Sequence, residues 1–164
     1  MMSITRPLVV MGVSGSGKTT VGEALAVALG VPFADGDALH PEANVAKMAA
    51  GIPLDDADRA PWLVAIGAVL AAGPVVVACS ALKRAYRDRL RVAAPELELV
   101  YLEVDRATLL DRMAHRTHFM PPSLLDSQLA TLEPPTAEEN AIVVNGARPL
   151  VELVETLEER ILHV

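Results

Sequence analysis

The sequence predicts an α/β fold in which a parallel sheet is covered by helices, and three observations predict it. Short apolar runs rich in β-branched residues alternate with longer helical patterns along most of the chain. A glycine-rich stretch matching G-x-x-x-x-G-K-[ST] stands between the first such run and the first helical pattern. The composition is globular: 164 residues, 52% apolar and 21% charged. That balance excludes disorder, collagen-like repeats and coiled coil, and the length fits one ordinary domain.

The elements follow in order. A strand is expected at Leu8 to Met11, then the glycine-rich loop, then a helix from Lys18 to Leu29 closed by Gly30. A strand at Pro32 to Ala34 leads through a turn to a helix at Glu42 to Ala50. Ala60 to Leu82 runs 23 residues without a charge, the length of a membrane span. Gly73-Pro74 breaks it, leaving a buried helix, Asp58 to Ala72, in which Pro61 marks a position where a helix begins, and a buried strand, Val75 to Cys79. A helix at Leu82 to Ala93 and a strand at Leu99 to Val104 come next. Asp105 is placed to cap the helix Arg106 to Arg116. His115 to Ser123 mixes two histidines, Arg116, Phe119, Met120 and Pro121-Pro122, and reads as a mobile loop before the helix Ser123 to Leu132. The chain ends with a strand at Ala141 to Val144 and a helix at Leu150 to Leu162, whose Leu150, Leu153, Val154, Leu157 and Ile161 face the core.

Composition also narrows function. Aromatics are 3% and the net charge is −7, which argues against base stacking and against sequence-independent nucleic-acid binding. A single cysteine, Cys79, cannot form an internal disulfide, and MMSITRPLVV lacks the apolar run of a secretory signal. A reducing, cytoplasmic setting and no membrane partner are expected.

Gly12-Val13-Ser14-Gly15-Ser16-Gly17-Lys18-Thr19, set between strand and helix, is a phosphate-binding loop. Its glycines let backbone N–H groups converge on a phosphate, Lys18 places charge on the β- and γ-phosphates, and the Thr19 hydroxyl can hold magnesium. Thr20 completes this nucleotide site. The implied ligand is ATP or GTP with magnesium.

Beyond the second strand, Asp35-Gly36-Asp37 sets two carboxylates at the carboxyl edge of the sheet, facing the same crevice. One can assist the metal while the other accepts a hydrogen bond from an acceptor hydroxyl. The other reading is a turn before the helix at Pro41. His40 suits either a packing role or a ligand contact.

Asp35-Gly36-Asp37, Leu39-His40-Pro41, Asn44, Lys47-Met48, Gly51, Pro53-Leu54, Asp56, Asp58-Arg59 and Pro61-Trp62-Leu63 together resemble the bacterial gluconokinases. Cys79-Ser80-Ala81-Leu82-Lys83, Tyr86-Arg87-Asp88, Leu90-Arg91, Tyr101-Leu102, His118-Phe119-Met120, Gln128-Leu129 and Thr131-Leu132-Glu133 continue the likeness, from Val9 to about Glu133. The resemblance implies a three-layer fold similar to shikimate and nucleoside monophosphate kinases: a five-stranded parallel sheet, helices on both faces, and a lid over about residues 112–125 in one domain. It implies ATP-dependent phosphorylation of D-gluconate at its terminal hydroxyl, and a homodimer. Another small-molecule kinase of the same fold, such as one for shikimate, and a slow nucleotide-operated switch are the alternatives.

Residue by residue, similarity to shikimate kinases places Arg59 in the acceptor pocket, where a guanidinium suits a carboxylate; the alternative is an ion pair with Asp55 or Asp56. Lys83 and Arg87, at i and i+4 beside Ser80, are expected to face that pocket, with Arg84 and Arg91 pointing elsewhere. Arg112 and Arg116 are expected to face the nucleotide, Arg116 closing on the γ-phosphate, with His118 near the acceptor; Arg112 could instead pair with Asp105 or Asp111. The strand ending in Cys79-Ser80-Ala81 offers no acidic metal partner, so Asp35 is the candidate to hold magnesium through water. Asn145 stands where an acidic residue is common in the family.

Overall fold

The computed structural model describes residues 4–115 and 122–162. Five strands, β1 (Leu8–Met11), β2 (Phe33–Asp35), β3 (Val76–Ala78), β4 (Glu98–Glu103) and β5 (Ile142–Asn145), form one parallel sheet in the order β2-β3-β1-β4-β5. Among the described residues, seven α-helices connect and cover them: α1 (Lys18–Leu29), α2 (Glu42–Ala49), α3 (Asp56–Ala71), α4 (Arg84–Ala93), α5 (Arg106–Ala114), α6 (Pro122–Thr131) and α7 (Leu150–Leu162).

The alternation of side chains along each strand divides the core in two. Leu8, Val10, Val76, Val100 and Val144 pack against α1 and α7. Val9, Met11, Val77, Leu99 and Tyr101 pack against α3 and α4. Because both faces are covered, the strands read as continuous apolar runs. A third, smaller cluster joins Val13 and Leu82 to Leu109 and Met113 of α5 and Leu125 of α6. It lies at the carboxyl end of the sheet and seats two helices on the phosphate loop.

Most element boundaries match the expectation to within two residues. Gly30 adopts a left-handed conformation (φ +70) and its amide closes α1. The uncharged run Ala60 to Leu82 is divided between α3 and β3, and no helix among the described residues is long and apolar enough to cross a membrane. Local chemistry explains two of three differences. α3 begins at Asp56, ahead of Pro61, because Asp55 and Asp58 exchange backbone-to-carboxylate bonds of 2.7 and 3.0 Å in a reciprocal capping box. β2 extends to Asp35 and runs into a 3₁₀ turn, Gly36–Leu39. A Cβ at Gly36 would stand 2.5 Å from the Ala78 carbonyl oxygen, so only glycine lets this turn pass the β3 edge. Leu150 is 38% exposed at the end of α7, while Leu153, Leu157 and Ile161 fill the core as expected.

Candidate active site

The phosphate loop links β1 to α1. Its last residue before the helix, Gly17, has φ +92, a conformation that glycine alone adopts without strain, and it turns the chain into α1. The amino end of α1 has no side-chain cap and no acidic residue in its first turn, so its backbone N–H groups are left for an anion. Ser14, Gly15, Gly17, Lys18, Thr19 and Thr20 line a cradle of about 100 Å³, closed on one side by Asp37. Lys18 is buried. Gly12 and Ser16 lie behind the cradle, where a Cβ on Gly12 would stand 2.5 Å from the Ser16 hydroxyl. Val13 anchors the loop in the third apolar cluster. The residues present therefore fit a nucleotide triphosphate with its magnesium: uncapped amides and a lysine for phosphate, and the Thr19 hydroxyl for the ion.

On the α7 side the cradle continues into a cavity of about 290 Å³ bounded by Thr20, Val21, Arg112, Gly146, Arg148 and Leu150. Arg112 donates to the carbonyls of Gly15 (2.9 Å) and Gly146 (2.7 Å), bracing the phosphate loop against the loop after β5. Its guanidinium thus lies between the phosphate loop and the loop after β5 and pairs with neither Asp105 nor Asp111. Asp105 occupies the N-cap position of α5, with its carboxylate accepting from the Thr108 hydroxyl at 2.5 Å. Asn145 accepts from the Ala147 amide (2.9 Å) and shapes the turn after β5.

On the other side lies a cavity of about 350 Å³, with Asp37, His40, Arg59 and Ser80 among its polar lining and Met48, Ile52 and Leu124 on its apolar wall. Ser14, Lys18 and Asp37 line both this cavity and the cradle, so the two meet at those side chains. The paired aspartates separate here. Asp35 caps the 3₁₀ turn by accepting from the Asp37 amide at 3.0 Å and lines neither space, whereas Asp37 faces the junction.

His40 stacks on Trp62 with centroids 4.3 Å apart and planes 10° from parallel. The Asn44 amide nitrogen lies 3.1 Å from His40 Nδ1 and donates to the Asp58 carbonyl at 2.8 Å. An amide nitrogen only donates, so Nδ1 accepts and the ring proton of the neutral imidazole sits on Nε2. Burial, with Arg59 nearby, lowers the His40 pKa against the pull of Asp37 and favours that neutral ring.

Arg59 projects from α3 and donates to the Tyr86 hydroxyl at 3.0 Å, with its guanidinium 5.4 Å from the centre of the ring. It forms no ion pair with Asp55 or Asp56. Asp55 is engaged in the capping box, and Asp56 accepts from the Tyr86 hydroxyl and from Lys83 (2.9 Å). Those two bonds, the phenol's first, hold the Asp56 carboxyl below its ordinary range.

The expectation that Lys83 and Arg87 share a helix face toward the pocket is corrected. Lys83 is the N-cap of α4, before the helix begins, and it binds Asp56. Arg87 is 1% exposed and lies behind the cavity wall. It makes a two-point pair with Glu139 (2.7 and 3.0 Å) and donates to the carbonyls of Ala81 (2.9 Å) and Leu82 (3.2 Å). Ala81 has φ +43, a left-handed conformation costing of order 1–3 kcal/mol in a non-glycine residue, and it directly follows Ser80. Burial alone would raise the Glu139 pKa, but its bonds from Arg87, the Thr136 amide and Arg91 outweigh that and hold it at about 2.

Three contributors are given no role by the sequence reading, although Tyr86 and Gln128 stand in blocks that carry the family resemblance. Tyr86 supplies Arg59's partner, Glu139 neutralises Arg87, and Gln128 bonds Ser14. The expected lid cations Arg116 and His118, with Phe119 to Pro121, lie outside the described residues. Burial pushes the Cys79 thiol up to about 12, leaving it an inert core residue.

The shikimate kinase family profile matches residues 14–158. The chain is 53% identical over 149 residues to a gluconokinase of Gluconobacter oxydans (strain 621H), covering 87% of this chain and 84% of that protein. It is 45% identical over 141 residues to the thermosensitive gluconokinase of Escherichia coli (strain K12), covering 82% and 75%. A crystal structure of a gluconokinase from Sinorhizobium meliloti 1021 superposes with a TM-score of 0.88 at 57% identity, covering 93% of this chain and 89% of that one. Shikimate kinase from Bacteroides thetaiotaomicron, at 20% identity and a TM-score of 0.74 over 96% and 99%, shares the fold. The matched lengths take in both the phosphate cradle and the Arg59 wall, and on that ground the chain belongs to the shikimate kinase family of P-loop kinases and, within it, to the gluconokinases.

Proposed function

We propose that the protein transfers the γ-phosphoryl group of ATP to the terminal hydroxyl of D-gluconate, giving 6-phosphogluconate and ADP. The observation that carries this reading is the shared wall of the two cavities: Lys18 and Asp37 line both the cradle and the larger space that Arg59 faces. Donor and acceptor then meet at one lysine and one carboxylate. Lys18 neutralises charge on the phosphates as it redistributes during transfer, and Asp37 orients the accepting hydroxyl, taking its proton late in a loose transition state. Arg59 holds the sugar-acid carboxylate, and His40 Nε2–H and the Ser80 hydroxyl bond the polyol. Magnesium supplies further charge neutralisation when bound, with the Thr19 hydroxyl as protein ligand; the expected role of Asp35 through water is dropped, because its carboxylate caps the 3₁₀ turn and lines neither space. Arg112 positions the nucleotide side. The roles of Arg116 on the γ-phosphate and of His118 at the acceptor, in a lid over about residues 112–125, rest on the family resemblance. So does a homodimer; a single kinase domain over 1–164 rests on the chain length, and a cytoplasmic location on the single cysteine and the composition of MMSITRPLVV.

A coupled ADP-release assay with gluconate, with shikimate and without acceptor tests this. Gluconate-dependent release is expected, and Lys18→Ala, correctly folded, should lose at least roughly 100-fold in turnover. Release driven by shikimate, or equal release without acceptor, would overturn the assignment.

A further inference from the structure

We propose that Gln128 is a positioning residue that fixes the acceptor-side turn of the phosphate loop, so that transfer to the sugar acid depends on α6. This rests on the kinase reading above. The Ser14 amide donates to Gln128 Oε1 at 2.8 Å, and Gln128 Nε2 donates to the Ser14 hydroxyl at 3.1 Å. One carboxamide thus holds both polar groups of one loop residue. The Ser16 amide is satisfied within the loop by the Val13 carbonyl; α6 enters the loop's hydrogen bonding at Ser14, as Arg112 of α5 does at the Gly15 carbonyl.

Ser14 also stands where the phosphate cradle and the acceptor cavity meet, and Gln128 lines the acceptor cavity. Its mount is rigid. α6 is seated through Leu125 on the cluster that includes Val13, the residue before Ser14, and Leu82, two residues after Ser80. The Glu133 amide just past α6 donates to the Leu82 carbonyl at 2.7 Å. The chain on either side of the acceptor cavity is therefore tied to one helix, and Gln128 is that helix's polar contact with the loop. Losing the clamp frees Ser14 to move by the fraction of an ångström on which in-line geometry depends, without removing any charge from the phosphates.

The test pairs Gln128→Met, which keeps the length and apolar stem, with Ser14→Ala and the double variant. Two measurements are made: amide exchange at Ser14, and steady-state kinetics with whichever sugar acid supports wild-type turnover. Exchange at Ser14 should be faster in Gln128→Met whatever the acceptor proves to be. Turnover should fall roughly tenfold with the ATP KM within about twofold of wild type, and the double variant should lose less than the product of the single losses. Unchanged turnover despite faster exchange would overturn the proposal, as would strictly multiplicative losses. A parallel rise in both KM values with a lowered Tm would reduce Gln128 to packing and equally overturn it. If Gln128→Met does not fold, Gln128→Asn, too short for both bonds, takes its place with the same expected outcomes. Failure of gluconate as acceptor, with the Ser14 exchange and kcat effects intact on another sugar acid, would overturn the gluconate reading alone.

Discussion

Tyr86 and Arg87 are neighbours on α4 and open onto opposite kinds of site. On one side, Arg59 meets a phenol hydroxyl and faces a cavity. On the other, Arg87 is sealed at 1% exposure against a carboxylate and two carbonyls. Both are guanidiniums within reach of the same helix, and partner chemistry separates their roles. A carboxylate that meets a buried arginine at two points cancels its charge, and what remains is architecture. A phenol oxygen orients the arginine and leaves its charge unmatched, which is what an anionic substrate requires. The carboxylate of Asp56 is one step removed, behind the Tyr86 hydroxyl, and already serves Tyr86 and Lys83.

The largest test of this contrast is Arg87→Met. It leaves Glu139 buried with only Arg91 as its ion-pair partner among the described residues and releases the Ala81 and Leu82 carbonyls. Unfolding free energy should fall by about 3–5 kcal/mol, read by urea denaturation, because a stranded buried charge costs more than the pair contributes. A loss under about 1 kcal/mol would show that the cluster is not structural, and the contrast would fail.

Acid probes the same cluster from the carboxylate side. The Glu139 pKa is depressed in the folded state from an ordinary 4.5 to about 2. A depressed carboxylate pKa adds stability that is fully present above the unfolded value and is lost as pH falls toward the folded one. Stability should therefore decline between about pH 4.5 and pH 2 by on the order of 3 kcal/mol from this group. Glu139→Gln should flatten that part of the pH–stability curve. An unaltered slope would assign the acid sensitivity to other carboxylates.

Arg59→Ala should behave in the opposite way. Its partner is neutral and its site open, so stability should change by less than about 1 kcal/mol while the gluconate KM rises roughly 10- to 100-fold, the usual cost of losing a charged hydrogen bond to substrate. The ATP KM should stay nearly constant. Equal loss for both substrates would identify Arg59 as a structural link between α3 and α4.

The two arginines also mark how far the sequence is legible. The phosphate loop, the strand alternation and the Gly73-Pro74 break are encoded within a few residues of one another, and the fold follows from them. Asp37, His40, Arg59 and Ser80 are recognisable by family resemblance, and the fold brings them around one cavity. Arg87 is misread because helical spacing assumes that Lys83 lies on the helix, when it is the N-cap, and because Glu139 stands 52 residues away in sequence. Gln128 is missed for a similar reason, its partner Ser14 lying 114 residues off. Asp35 and Asp37 look equivalent in sequence, and only the 3₁₀ turn, by taking the Asp35 carboxylate as its cap, distinguishes them. Periodicity reports which face a side chain takes, and long-range polar pairing decides what it meets there.

Tyr86→Phe gives the smallest and most discriminating effect. It removes the hydroxyl that Arg59 donates to and that Asp56 accepts from, while the ring, 5.4 Å from the guanidinium, remains. If the phenol orients Arg59, the gluconate KM should rise about 2- to 5-fold, the value of one neutral acceptor, with turnover and the ATP KM nearly unchanged. Burial and the Asp56 bond raise the Tyr86 pKa, so the phenol stays protonated across the working range and the difference between Tyr and Phe should not vary between pH 6 and 9. A KM effect as large as that of Arg59→Ala would make the hydroxyl itself a substrate ligand. No effect at all would leave the ring face as Arg59's support, and with it a guanidinium that turns freely between Asp56 and the substrate carboxylate, so that the contrast with Arg87 would rest on burial alone.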